Sequence, residues 1–222
     1  MDMKRLQRGL ALTLAGVALV GGLSACAPLV VGGAMVGGAL LVSDRRTSGT
    51  QIEDEGIELR AQSRLRAQLG DKGHINITSY NRQALLTGEV PTAQDKELAG
   101  QIVAKVENVR TVVNELAVMG NSSIGDRSND VLISGRTKAA LVDAKDLQAN
   151  AFKVVTERGI VYLMGRVTQR EANRATDVVR STSGVVKLVR VLEIISEQEL
   201  QQLQPPAPKE DKAGGATYGS TN

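Results

Sequence analysis

An internal repeat governs what this chain can fold into. At a spacing of about 77 residues, Ile75-Asn76-Ile77-Thr78 returns as Phe152-Lys153-Val154-Val155, and Leu86-Thr87-Gly88-Glu89-Val90 returns as Leu163-Met164-Gly165-Arg166-Val167. Asn108-Val109-Arg110-Thr111-Val112 returns as Gly184-Val185-Val186-Lys187-Leu188 after a one-residue slip. Whatever the unit is, it is built twice.

The first copy shows the unit's contents. Ile57, Ala61, Leu65 and Leu69 fall at helical spacing. Glu53, Asp54, Glu55 and Glu58 suit the amino-terminal turns of that helix, and Gly70 supplies a stop. Ile75, Ile77 and Ser79 alternate with polar residues, Asn81 turns the chain, and 84–90 reads as the returning strand. Pro91 and Thr92 open a second helix with Leu98, Ile102, Val103 and Val106 on one face, and 109–118 alternates as a third strand. Helix, hairpin, helix, strand makes an α+β fold, two tandem domains each with helices on one face of a small three-stranded mixed sheet. A unit of about 70 residues is marginal by itself, so the two copies are expected to dock.

The amino terminus sets the location. Lys4, Arg5 and Arg8 precede the apolar run Gly9 to Gly22, and Leu23-Ser24-Ala25-Cys26 follows with the chain's only cysteine. This stretch resembles a bacterial lipobox. The resemblance implies cleavage after 1–25, diacylglycerol on the Cys26 sulfur and acylation of the new amino terminus. A lone cysteine makes no internal disulfide, and lipidation accounts for it; a chance cysteine in a cleaved signal and an uncleaved anchor running on through Val42 are the other readings of this stretch. Residues 26–52 read as a lipidated apolar leash and linker: 30–42 are apolar and glycine-rich but too short to span a bilayer, and 43–51 turn polar. The domains are then placed at 53–119 and 127–196. The Gln- and Pro-rich stretch 197–222 reads as a disordered tail.

The strand ending at Gly88 or Gly165, the helix after it, and Asn108-Val109 or Gly184-Val185 leading into a valine-rich strand resemble the BON domain, a bacterial module associated with phospholipid membranes. The most specific stretch runs from Ser128-Asn129-Asp130 to Arg170-Glu171-Ala172. With the lipobox, two such copies resemble the dual-BON outer-membrane lipoproteins. That resemblance implies attachment to the inner leaflet of the outer membrane, facing the periplasm, and a role in envelope integrity with enrichment at division sites. It also implies contact with outer-membrane assembly machinery. Ala27 is not the aspartate that retains such proteins in the inner membrane.

The inventory for chemistry is poor. The sequence has one histidine and one cysteine, so it lacks the His pairs and Cys clusters of familiar metal motifs, and GxSxG, SxxK and phosphate-loop patterns are missing. His74, at the start of a strand, reads as solvated, and paired acids such as Glu53 with Asp54 read as solvated helix faces. Neither an enzyme, a metal site nor a cofactor beyond the lipid on Cys26 is expected, and no small-molecule substrate. Aromatics are 2% of the chain, with one phenylalanine and no tryptophan, which denies nucleic acid its stacking platforms. The formal charge of +3 is concentrated in the leader, so the remainder is near neutral and argues for no nucleic-acid partner either.

A surface remains. With the second copy's first helix taken as 129–147, steps of about 100° per residue put Ile133, Thr137, Ala140 and Leu141 inward. Val131, Leu132, Gly135, Ala139 and Val142 face the other way, flanked by Arg136 and Lys138. Apolar residues rimmed by cations suit an interfacial helix on an anionic membrane, and the family resemblance points to the same helix. Phospholipid binding is therefore assigned to Leu132, Gly135, Arg136, Lys138, Ala139 and Val142. Two other readings stand beside it. This face could pack against the first copy, or it could receive a protein partner, making the chain a membrane-tethered adaptor for envelope assembly machinery.

Overall fold

A computed structural model describes residues 44–203. Cys26, the leash before residue 44 and the tail beyond residue 203 lie outside the described residues. The first copy comprises α1 (Ser48–Leu69), β1 (His74–Tyr80), β2 (Gln83–Val90), α2 (Ala93–Ala104), β3 (Thr111–Asn114) and β4 (Ala117–Val118). The second comprises α3 (Ile124–Asp143), a 3-10 turn at Ala149–Ala151, β5 (Phe152–Glu157), β6 (Ile160–Thr168), α4 (Gln169–Arg180) and β7 (Lys187–Ile195), and α5 (Glu197–Leu203) follows.

In both copies the central strand pairs antiparallel with the strand before it and parallel with the one after the helix, in the orders β1-β2-β3 and β5-β6-β7. The first copy's last strand is interrupted: β3 and β4 both pair parallel with β2. The expected fold, two α+β units each with a small mixed sheet, is the fold observed.

The repeated glycines are explained by the ladder. Gly88 and Gly165 lie where a Cβ would collide with the carbonyl oxygens of His74, which opens β1, and of Ala151, just ahead of β5. Asn108 and Gly184, which precede the last strand of each copy, both sit at positive φ, 66° and 93°.

Each hairpin is held by a buried aspartate from the preceding helix. Asn81 and Arg82 (φ 50° and 64°), like Arg158 and Gly159 (56° and 72°), adopt the left-handed pairs of a two-residue hairpin turn. Asp54 accepts hydrogen bonds from the Asn81 and Arg82 amides at 2.8 and 2.7 Å, and Asp130 accepts from Arg158 and Gly159 at 2.7 and 2.8 Å. The carboxylates satisfy turn amides that no strand can reach, and so tie helix to hairpin. This corrects the reading of Glu53 and Asp54 as a solvated acidic pair in the first turn. The helix begins earlier, at Ser48, where Thr47 Oγ1 accepts from the Thr50 amide, and Asp54 is buried.

The helices cover the outer faces of the sheets, and the inner faces meet. Along β2, Ala84, Leu86 and Val90 pack under α1 and α2, whereas Leu85 points to the other copy. Along β6, Val161, Leu163 and Val167 pack under α3 and α4, and Tyr162 and Met164 point back. Tyr80, Leu85, Tyr162, Met164 and Val191 form one buried cluster shared by the two sheets. Around it Lys153 Nζ bonds Glu58 Oε1 at 2.9 Å, and Asn81 Nδ2 donates to Glu193 at 2.6 Å.

The segment expected to be linker is instead a strap. Arg45 donates two hydrogen bonds of 2.7 Å to Glu171 of α4, with both side chains 5% exposed, and a third of 2.9 Å to the Arg166 carbonyl. Arg46 pairs with Asp44 and Asp54 and lies 4.2 Å over the Tyr80 ring. Glu171 also closes the α4 capping box by accepting from the Thr168 amide. Residues 197–203, assigned to the disordered tail, are helical, and Leu200 is buried. Glu199 on that helix pairs with Arg166 at 2.7 Å. A hydrophobic residue and an ion pair fix the turn despite the glutamine-rich composition.

Burial pushes the Glu171 carboxyl up, but the Arg45 and Thr168 hydrogen bonds outweigh it and hold the group below the usual carboxylate range. The stability this contributes is present above the ordinary carboxylate pKa and is lost as pH falls through the lowered value. Arg45→Met leaves a buried, uncompensated carboxylate and is expected to cost about 3–5 kcal/mol at about pH 7 in urea unfolding. The gap from wild type should narrow toward about pH 4, because the orphaned Glu171 then takes up a proton more readily than the paired one.

Candidate functional site

The candidate surface lies on α3. A capping box starts this helix ahead of the expected residue 129: Ser123 Oγ accepts from the Asp126 amide at 3.2 Å, and Asp126 accepts from the Ser123 amide at 3.0 Å. Ile133, Thr137 and Leu141 are buried against the sheet, and Asp130 is fixed to the hairpin turn, so the helix has no freedom to roll. Its opposite face is thereby fixed toward solvent.

All six residues assigned from sequence sit on that free surface: Leu132, Gly135, Arg136, Lys138, Ala139 and Val142 are exposed. The large apolar ones stand well clear, with Ile124 at 84%, Val131 at 71%, Leu132 at 57% and Val142 at 66% of full exposure. Ile124, Val131 and Val142 share one side of the helix, a line about 27 Å long at 1.5 Å rise per residue. The alternative in which this face packs on the first copy is overturned, because the copies meet through their sheets. Ile124 is a site residue that the later expected helix start left out.

The duplication provides the comparison. Aligning Asp54, Ile57 and Leu65 with Asp130, Ile133 and Leu141 sets Glu55 against Val131, Gly56 against Leu132 and Arg66 against Val142. Arg60 of α1 is tied to Glu53 at 2.6 Å, whereas its counterpart Arg136 has no ion-pair partner among the described residues, and neither has Lys138. Ile52 and Leu59 are exposed on α1, but they stand among acids and arginines. Two helices of one fold thus differ in their outer faces.

A second constellation was not foreseen. His74, read from sequence as solvated, is half-buried, with Nδ1 3.6 Å from Oε2 of the fully buried Glu89. Glu157 of β5 joins them, so that one ligand-type atom from each of the three lies within 4.8 Å of the others. Burial, and the charge of Glu89 after it, push the Glu157 carboxyl up, against the opposing hydrogen bond from Asn76 Nδ2. Sequence spacing held no sign of this group, because its members come from both copies and the second copy has Ala151 where the first has His74.

No helix among the described residues is long and apolar enough to cross a membrane. Comparison with known proteins agrees with the repeat. The model of the BON domain matches residues 53–120 and again residues 129–196. The chain is 36% identical over 175 residues to the outer membrane lipoprotein DolP of Haemophilus influenzae, covering 78% of this chain and 90% of that protein. It is 34% identical to a 21 kDa hemolysin of Actinobacillus pleuropneumoniae, covering 68% and 79%. An uncharacterized protein of Anaplasma centrale is 27% identical, covering 62% and 92%. With two family matches spanning most of its length and relatives of the same extent, the chain belongs to the BON-domain family.

Proposed function

We propose that this protein is a non-enzymatic lipoprotein of the bacterial envelope, held by lipid on Cys26 at the periplasmic face of the outer membrane, whose second BON domain binds anionic phospholipid through α3. The observation that carries the reading is the free apolar line Ile124, Val131 and Val142, with Leu132 beside it and the unpaired cations Arg136 and Lys138 at its edges. Apolar side chains seated at the acyl boundary gain hydrophobic burial, while arginine and lysine meet phosphate oxygens. The likeness to an outer membrane lipoprotein supports the envelope location. A role in outer-membrane integrity, at division sites, belongs to the same proposal.

Gly135 adds a second support. A Cβ placed there meets nothing within 4 Å, so no neighbour among the described residues demands glycine in mid-helix. Its absent side chain leaves a notch between Val131 and Val142 into which a headgroup or acyl chain can settle. The helix forgoes stability for that notch.

Two outcomes follow. In vesicle flotation with the chain from Ser43 onward, phosphatidylglycerol-containing vesicles should be bound and purely zwitterionic ones bound far less. Leu132→Glu and Lys138→Glu should each lower affinity about tenfold or more, and Leu59→Glu on α1 should not. Equal binding to both vesicle types, or variants that bind like wild type, would contradict the lipid site. Binding to a detergent-solubilised envelope protein that fails in these same variants would favour the adaptor reading. Separately, Gly135→Ala should raise unfolding stability by about 0.5–1 kcal/mol in urea titration while weakening vesicle binding.

A further inference from the structure

His74 and Glu89 are directly opposed in the β1–β2 ladder, and Glu157 ends β5 beside them, so that the second copy closes a site that the first begins. Some of its atoms are accounted for. Glu89 Oε2 accepts from the Ser122 amide and hydroxyl at 3.2 and 3.3 Å, and Glu157 Oε2 accepts from Asn76 at 3.0 Å. Others are not: Glu89 Oε1 and His74 Nδ1 are buried without a hydrogen-bond partner.

Neither Glu89 nor Glu157 meets a lysine or arginine in any ion pair of the described residues, although Glu89 is 0% and Glu157 6% exposed. Two carboxylates so enclosed, with no lysine or arginine within ion-pair distance, are costly, and buried charges are ordinarily paired or coordinate a metal. The donor set selects the kind of ion. One imidazole nitrogen with two carboxylate oxygens suits zinc and its first-row neighbours, whereas magnesium and calcium prefer oxygen alone.

We propose that His74, Glu89 and Glu157 bind one divalent transition-metal cation, with zinc the best match, and that this ion pins the first BON domain to the second. Ligand atoms about 2.0–2.2 Å from zinc lie closer together than the 4.8 Å limit within which these three atoms fall. Small rotations of the His74 and carboxylate side chains would bring them in. The groove that His74 and Glu157 border, with Arg127, Asp130 and Lys138 among its other walls, gives the ion its way in.

The single histidine makes the test direct. The full chain, in detergent, without an affinity tag and stripped with chelator, is titrated with Zn²⁺ while the imidazole resonances are followed by NMR and bound zinc is measured by equilibrium dialysis. The expected result is one zinc per chain, an imidazole shift that saturates at one equivalent, and no displacement by excess Mg²⁺. Glu157→Gln, which keeps the Asn76 contact, should weaken binding at least tenfold, and Glu55→Gln on the exposed face of α1 should leave it unchanged. An imidazole signal that ignores zinc would overturn the proposal, and so would a zinc-dependent shift of undiminished affinity in Glu157→Gln, since the ion would then not be shared between the domains.

Discussion

The structure depends on two sheets meeting face to face. Leu85 and Tyr80 from the first copy close on Tyr162, Met164 and Val191 from the second, so both faces of each central strand are buried. A unit of this size buries too little apolar surface to be comfortably stable alone, and the shared cluster supplies the remainder. It also decides orientation. With the sheets back to back, the helices are directed outward, and the face of α3 opposite Ile133 and Leu141 has nowhere to go but solvent. An outward-facing helix surface is therefore a consequence of how the copies dock, and the side chains of α3 make it apolar.

Polar ties fix what the hydrophobic contact permits. Asp54 and Asp130 hold the hairpin turns, and Arg45 reaches from before the first helix to Glu171 in the second domain. Such buried pairs contribute modestly in net terms, but they are unforgiving of removal, because a lone charge would be left behind. They make the pair of domains one body. The segment just before α1 is consequently secured to the second domain.

Much of this was legible in the sequence, because duplication let each motif be read twice. The strands, the glycines at 88 and 165, and the inward stripe of α3 all follow from local periodicity or from the repeat. What escaped was long-range. Arg45 and Glu171 lie 126 residues apart, and nothing near Arg45 distinguishes it from a solvated arginine. The His74 cluster likewise assembles only after docking. Asp54 was more accessible: Asp-x-x-Ile recurs at Asp130 and Ile133, and a repeated acid ahead of a repeated apolar stripe signals a structural role. The early start of α3 was hidden because its first turn, held by Ser123 and Asp126, is polar apart from Ile124.

The claim on which the functional reading rests is that α3 and not α1 enters the membrane boundary, and depth measurement tests it most directly. A nitroxide label on a cysteine introduced at Leu132 or at Leu59, in the chain from Ser43 onward that lacks Cys26, reports how far each helix lies below the phosphate level of anionic vesicles. The label at position 132 is predicted to lie in the acyl boundary, shielded from aqueous quencher, with the label at 59 in water. Both labels in water on bound protein, or both at equal depth, would contradict the account.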